Sequence, residues 1–296
     1  MTIGISTVRR SNDDEYLQQT LDDLLKHLSP AELNDVTLVV FLADNNATYR
    51  QEVLQRLSSK YHNLLEQGSL NIIQAKPEFY PSLENLKQKY NDSETRIKWR
   101  SKQVLDFALL FLYASNKAEY HLQLEDDVIS APDYFTSIKS GLAKYKGKMW
   151  TVLSFSQIGF IGHFFKSEDL VKLSKYMVTF FDEQPVDWLV GSYMTATGQK
   201  GRISIRPSLF QHIGTMSSLP GKIQKVVDRG FKMKKNGKEQ PGACVKSNNP
   251  EAMVLDTDMV PYGGFSLKQL YFCSGHFWAS NAGQNKARRS RIFRKT

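Results

Sequence analysis

Short apolar runs alternate with leucines at helical spacing from residue 2 to residue 129, and that alternation restricts the chain to an α/β architecture. Residues 2–8 form the first apolar run. Leu17, Leu21, Leu24, Leu25 and Leu28 then recur at helical spacing after the turn-forming Asn12-Asp13-Asp14. Residues 36–42 read as a buried strand, Leu54, Leu57, Tyr61, Leu64 and Leu65 as the next helix, and residues 70–73 as a third strand. A loop over residues 76–98, with Pro77 and Pro81, precedes a long apolar helix at 101–113. Residues 120–125 then form a strand that runs into Glu125, Asp126 and Asp127. A βαβαβ series with right-handed crossovers predicts a mostly parallel central sheet flanked by helices. Ligands of such sheets bind beyond the carboxyl ends of the strands, which directs attention to Ser6-Thr7-Val8-Arg9, Ala43-Asp44-Asn45 and Glu125-Asp126-Asp127.

The 296 residues, 41% of them hydrophobic, suffice for one large α/β domain or a domain with an appendage, and they exclude general disorder. The formal net charge is +9, with late basic groups at Lys232, Lys234, Lys235 and Lys238 and from Lys286 to Lys295. Such a balance suits an anionic substrate such as a nucleotide, while terminal basic runs also occur as solvated tails. Nucleic acid is not an expected partner, because no aromatic stacking platform or groove-reading helix accompanies the charge. Cys244 and Cys273 permit one disulfide without requiring it, and no Cys/His spacing suggests zinc. The longest apolar runs, residues 107–114 and 37–43, fall short of the roughly 18 to 20 residues that cross a bilayer. The chain starts at Met1 directly into a strand, so neither signal peptide nor anchor is expected within it. Two sequons, Asn46-Ala47-Thr48 and Asn91-Asp92-Ser93, point weakly to a secretory history. No GxGxxG follows the first strand and no Walker loop occurs, which argues against a dinucleotide oxidoreductase or a P-loop ATPase.

Three consecutive carboxylates at a strand end repel one another, and an uncompensated buried acid there would cost several kcal/mol. A divalent cation shared with a phosphate-bearing substrate removes that penalty, since hard oxygen ligands suit Mg²⁺ or Mn²⁺. The alternative is a solvated acidic loop or a helix cap, although capping requires one acid rather than three.

The apolar strand ending in Glu125-Asp126-Asp127, with Ala131-Pro132-Asp133-Tyr134-Phe135 after it, resembles the metal-binding region of GT-A-fold N-acetylglucosaminyltransferases. Phe155-Ser156-Gln157-Ile158-Gly159-Phe160-Ile161-Gly162, Pro185-Val186-Asp187-Trp188-Leu189 and Arg206-Pro207-Ser208-Leu209-Phe210-Gln211-His212-Ile213-Gly214 look like successive motifs of the N-acetylglucosaminyltransferase IV family. Thr2-Ile3-Gly4-Ile5-Ser6-Thr7-Val8 and Trp99-Arg100-Ser101-Lys102-Gln103 are similar to it as well, so the resemblance covers residues 2–229.

The resemblance implies a GT-A-type nucleotide-sugar-binding fold over residues 1–230, followed by a short irregular or β-rich extension over 231–296. It also implies inverting transfer of N-acetylglucosamine from UDP-N-acetylglucosamine to the α-1,3-arm mannose of a glycoprotein N-glycan, forming a β-1,4 branch, with Mn²⁺ or Mg²⁺ as cofactor. Its members are type II Golgi membrane proteins, so location in the Golgi lumen or membrane, and contacts with other Golgi transferases, are further implications. Asp127 is the first candidate for metal contact, with His212 as a late metal or phosphate ligand. Glu125 and Asp126 would address the ribose or ordered water. Arg9, Arg100 and Lys102 are candidate diphosphate or uridine contacts, each equally readable as an exposed charge. Thr7 lies in the donor-facing loop, and Asp44 is either a uridine contact or a turn-forming residue. Asp187 beside Trp188 is the candidate general base, against the reading of Asp187 as a helix cap with Trp188 in the core. Phe155, Gln157 and Trp188 are candidates for the acceptor or sugar.

The chain departs from the family pattern at Ser154 and Gly191, where acids are expected, and at Met216, where a histidine is. If these positions line the cleft, weak or absent activity follows, and a regulatory relative of another Golgi transferase becomes the competing reading.

Overall fold

A computed structural model describes residues 1–10, 16–219, 221–223 and 225–232, together with the backbone of two short strands at 272–273 and 276–277. The chain divides into two compact units, Met1–Met233 and Lys234–Thr296. Of the second, the described part is an antiparallel pair, Phe272–Cys273 with His276–Phe277. The Asn12-Asp13-Asp14 turn, the basic residues beyond Lys232, Cys244 and the side chain of Cys273 lie outside the described residues.

In the first unit the strands are β1 (Thr2–Thr7), β2 (Thr37–Leu42), β3 (Leu70–Ile73), β4 (Tyr120–Glu125), β5 (Val128–Ser130), β6 (Leu153–Ser154), β7 (His163–Lys166), β8 (Ile203–Ser204) and β9 (Phe210–His212). The helices are α1 (Tyr16–Lys26), α2 (Pro30–Leu33), α3 (Ala47–Lys60), α4 (His62–Glu66), α5 (Glu94–Ala114), α6 (Tyr134–Ala143), α7 (Ser167–Thr179) and α8 (Val186–Ala196). Seven strands form a sheet in the order β3-β2-β1-β4-β7-β6-β8. Its β3, β2, β1 and β4 are parallel, β7 runs antiparallel between β4 and β6, and β8 is parallel to β6. The mostly parallel sheet expected from the alternation is therefore present. Among the described residues, no helix is long and apolar enough to cross a membrane.

Both faces of the sheet are covered, which is why β2 reads as an unbroken apolar run. Leu38, Val40 and Leu42 pack with Ile3 and Ile5 of β1 and with Leu21 and Leu24 of α1, whereas Val39 and Phe41 face Leu110 of α5. Gly4 allows a close approach between β1 and β4. A Cβ there would lie 2.5 Å from Cε1 of the buried His121 ring. A second apolar cluster joins α5, α7 and α8 through Phe107, Phe111, Leu173, Met177 and Leu189.

Two helix boundaries differ from the sequence reading. α5 begins at Glu94, well inside the expected loop, because the Ser93 side chain caps Arg96 N–H at 3.3 Å. The helical pattern from Leu54 to Leu65 is divided into α3 and α4 at Tyr61, whose backbone at φ −113° and ψ 29° is not helical.

Register positions the site. Thr7 pairs with Leu42, and Ser6 with Glu125, so the exits of β1, β2 and β4 end level along one edge. A separate antiparallel ribbon of β5 and β9 then sets His212 opposite Val128, one residue beyond the acidic turn.

Candidate functional site

β4 delivers Glu125, and Asp126 and Asp127 form the two-residue link to β5. α1 buttresses that link. The fully buried Thr20 hydroxyl lies 2.8 Å from the Asp126 carbonyl and 3.0 Å from that of Val128, and it accepts the Val128 N–H at 2.9 Å. Asp23, one helical turn on, accepts the Ser130 N–H at 2.6 Å and the Ser130 hydroxyl at 2.9 Å. From the other side, the Ile213 N–H donates to the Asp127 carbonyl at 2.8 Å. Gly214 packs so closely that a Cβ would lie 2.0 Å from Asp127 Oδ2.

The charge on the turn is largely met within the chain. Arg10 forks onto Asp126, with Nη1 donating to Oδ2 at 2.9 Å and Nη2 to Oδ1 at 2.5 Å; Nη2 also donates to Asp127 Oδ2 at 3.0 Å and Nε to the Met216 carbonyl at 3.1 Å. The Thr7 hydroxyl adds a 2.5 Å bond to Asp126 Oδ2. Burial by itself would lower the Arg10 pKa, but Asp126, Asp127 and Glu125 more than offset this and hold the guanidinium charged.

Glu125, Asp127 and His212 bring one ligand atom each to within 4.8 Å of one another. His212 Nε2 lies 3.1 Å from Asp127 Oδ2 and 3.7 Å from Glu125 Oε2. Asp127 Oδ1 is buried with no hydrogen-bond partner among the described residues, an arrangement that suits a cation. Burial, reinforced by the Asp127 charge, pushes the Glu125 carboxyl up to about 8. Burial would lower His212, yet the bond to Asp127 outweighs it and raises the imidazole. Two carboxylate oxygens and an imidazole nitrogen form a donor set that fits Mn²⁺ or Mg²⁺.

These residues line a cavity of about 250 Å³ shared with Lys102, Asp106, Asp187, Ser217, Ser218 and Lys222, among others. Lys102 is held by both Asp106 oxygens, at 2.8 and 2.7 Å, and by the Ala43 carbonyl; Tyr80 donates to Asp106 at 2.7 Å. Burial pushes Asp106 up to about 6 despite Lys102. Asp187, in the first turn of α8, is exposed and lines the cavity. Desolvation raises its carboxyl and the nearby Arg202 opposes the rise.

Several sequence candidates are placed otherwise than expected. Asp126 reaches the cavity, but both of its oxygens are bonded to Arg10 and Thr7, so it braces the turn rather than presenting itself to a ribose. Arg9 is exposed, with its guanidinium over the Tyr49 ring at 5.4 Å from the centroid, and its backbone N–H donates to Asp44 at 2.8 Å. Asp44 accepts from Asn46 N–H as well, at 2.7 Å, which is the turn-forming reading of that residue. Arg100 is 1% exposed, its Nε 3.4 Å from Asp92, and is too enclosed to meet a diphosphate. Phe155 is likewise fully buried, in the core against Phe164, and has no surface for a sugar. Gln157 lies in the wall loop, its N–H bonded to Asp228 at 2.7 Å and its Oε1 to Arg206 at 3.2 Å. Pro185, not Asp187, is the cap of α8, and Trp188 is 54% exposed, edge-on to Tyr90 at 5.1 Å. Ser154, Gly191 and Met216 do not line the cavity: Ser154 is buried toward His163, Gly191 has open space beside it, and Met216 contributes its carbonyl to Arg10.

Sequence reasoning missed Arg10, Thr20, Asp106, Lys222 and Asp228. Asp228 is buried and draws the wall together by accepting from Ser156 Oγ at 3.0 Å, Gln157 N–H and Gly230 N–H at 2.7 Å. Asp106 carried a usable signal, since it sits four residues after Lys102 and is the one charge in the otherwise apolar run over residues 104–114.

The family model described as "MGAT4 conserved region" matches residues 1–231. The chain is 38% identical over 282 residues to a chicken (Gallus gallus) alpha-1,6-mannosyl-glycoprotein 4-beta-N-acetylglucosaminyltransferase, covering 95% of this chain and 59% of that protein. It is 38% identical to the zebrafish (Danio rerio) alpha-1,3-mannosyl-glycoprotein 4-beta-N-acetylglucosaminyltransferase B, over 94% of this chain and 52% of that one. The human (Homo sapiens) B enzyme is 35% identical, over 99% and 54%. The chain thus spans little more than half the length of these curated relatives. Staphylococcus aureus TarS 1–349 in complex with UDP-GlcNAc overlays on 60% of this chain and 48% of its own at a TM-score of 0.34 and 14% identity, too loose a likeness to establish a shared fold. With the match over residues 1–231 and the identities above, the chain belongs to the family defined by the MGAT4 conserved region.

Proposed function

We propose that this protein transfers N-acetylglucosamine from UDP-N-acetylglucosamine to the α-1,3-arm mannose of a glycoprotein N-glycan, with inversion at the anomeric carbon, giving a β-1,4 branch. The observation that carries this reading is the sharing of one cavity by the Glu125–Asp127–His212 cluster and by Asp187, whose proton affinity is raised. The names of the relatives, all 4-beta-N-acetylglucosaminyltransferases, support the transferred group and the linkage.

Glu125, Asp127 and His212 would hold Mn²⁺ or Mg²⁺, which supplies neutralising charge to the diphosphate of the donor. Asp187 accepts the proton of the mannose hydroxyl as that oxygen bonds to the anomeric carbon and the bond to UDP breaks. Its raised proton affinity suits this role, because a base nearer neutrality takes the proton more effectively. Arg202 limits the rise and keeps the carboxylate available at neutral pH. Trp188, exposed beside Asp187 and braced by Tyr90, offers a ring face to an acceptor sugar. Residues 1–230 act as the GT-A-type unit in this reading, residues 231–296 as an extension of it, and the Golgi lumen is the expected location.

The test is incubation of the purified chain with Mn²⁺, UDP-N-acetylglucosamine and a biantennary N-glycan, with products assigned by NMR. A β-1,4-linked residue on the α-1,3 arm is expected. Folded protein that yields no new branch overturns the enzyme reading and favours a regulatory relative of another transferase. A branch formed solely on the α-1,6 arm overturns the acceptor assignment.

A further inference from the structure

Three cationic side chains line the cavity: Arg10, Lys102 and Lys222. Two are already engaged. Four of the five N–H groups of Arg10 go to Asp126, Asp127 and the Met216 carbonyl, and the Lys102 ammonium is held by Asp106 and the Ala43 carbonyl. Moving either onto a ligand would leave a buried carboxylate without its partner, Asp126 at 3% exposure or Asp106 at 3%. Lys222 differs, because its ammonium forms no ion pair or hydrogen bond with any described residue.

The loop that carries Lys222 is fixed at several points. It departs from Gly214, packed on Asp127, and Arg10 Nε ties its Met216 carbonyl at 3.1 Å. Trp99 Nε1 of α5 donates to Ser218 Oγ at 3.0 Å, and the Ser217 N–H to the Lys222 carbonyl at 2.9 Å. A bridge between Met216 and Ile223 closes the turn. The half-buried Lys222 is thereby held on the wall of the same cavity as the acidic cluster, with Ser217 and Ser218 beside it.

We infer that Lys222 is the side chain that binds the diphosphate of the donor, while Arg10 and Lys102 are positioning residues that shape the cavity without contacting it. This rests on the nucleotide-sugar reading above. An ammonium free of internal partners is available to phosphate oxygens at no cost to the fold, and a charge-assisted bond of this kind is worth about 10- to 100-fold in affinity. As UDP departs, Lys222 would meet the negative charge gathering on its outer phosphate.

The test is calorimetric titration of the full-length wild-type chain, Lys222→Met and Lys222→Arg with UDP, uridine and inorganic pyrophosphate, Mn²⁺ being present throughout. Lys222→Met is expected to weaken UDP and pyrophosphate by about 10- to 100-fold and leave uridine unchanged, with Lys222→Arg retaining most of the affinity. Equal UDP affinity in wild type and Lys222→Met overturns the inference. So does a parallel loss of uridine and UDP, which would mark the lysine as structural. Wild type that binds none of the three ligands overturns the nucleotide-sugar reading itself, a result distinct from either.

Discussion

Arg10 and Asp126 form a two-point fork at 2.9 and 2.5 Å, with side chains 11% and 5% exposed, so the middle acid of the turn is neutralised before any ligand arrives. Removing one member of such a buried pair strands the other. Arg10→Met should lower stability by about 3–5 kcal/mol in urea denaturation, and Arg10→Met combined with Asp126→Leu should recover much of that loss. A single variant within about 1 kcal/mol of wild type would show that the fork contributes little.

Gly214 offers a way to disturb the cation seat without deleting a ligand. In Gly214→Ala the new methyl would sit 2.0 Å from Asp127 Oδ2, forcing that carboxylate out of line with His212. Mn²⁺ affinity, followed by electron paramagnetic resonance, should fall by about 10- to 100-fold, and Asp127→Asn should abolish binding. Wild-type affinity in Asp127→Asn would remove that residue from the seat.

Asp187→Asn should reduce kcat by about 10²- to 10⁴-fold with little change in the KM for donor, since the residue acts on the acceptor proton. Because burial raises the Asp187 carboxyl, the acid limb of the wild-type pH–rate profile should fall above the ordinary Asp value of about 4. A limb at or below that value would point to a different base.

His121 and His163 are buried in neutral form, their pKa values lowered by desolvation to about 4 and about 3 from 6.5. The unfolded chain therefore binds more protons between pH 6.5 and those values, so their contribution is complete above about 6.5 and is lost as pH falls. Each amounts to roughly 2 kcal/mol at pH 5. Asp106 and Glu125, pushed up by burial to about 6 and about 8, act in the opposite sense, because their protonation as pH falls favours the folded state and offsets the loss. Between pH 7 and pH 5 the urea midpoint of His121→Gln should therefore shift more favourably than that of wild type. An identical shift in the two proteins would remove His121 from the account.

The sheet was readable because local patterns encode it: β2 is apolar on both faces, and the acids mark where β4 ends. What escaped depends on direction and long-range pairing. Arg9 and Arg10 are adjacent and chemically identical, yet the exit of β1 sends Arg9 onto Tyr49 and Arg10 into the acids. No periodicity reveals which of the two turns inward. Phe155 and Arg100 lie within motifs that mark the site while their own side chains support it from behind. Asp228 joins segments far apart in sequence, and Ser93 moved the start of α5 through a cap that was read as loop. Ser154, Gly191 and Met216 lie outside the cavity lining, with Gly191 one helical turn after Asp187 on α8.

The ribbon of β5 and β9 has a consequence for biosynthesis. Asp127 leaves the ribosome early, whereas His212 arrives long afterwards and on a different strand. Among the described residues that precede the turn, Arg10 is the cation paired with Asp126 and Asp127, while the imidazole comes from a strand made later. A chain ended before residue 212 would keep the residues of the Arg10–Asp126 fork and lose the imidazole that faces Glu125 and Asp127.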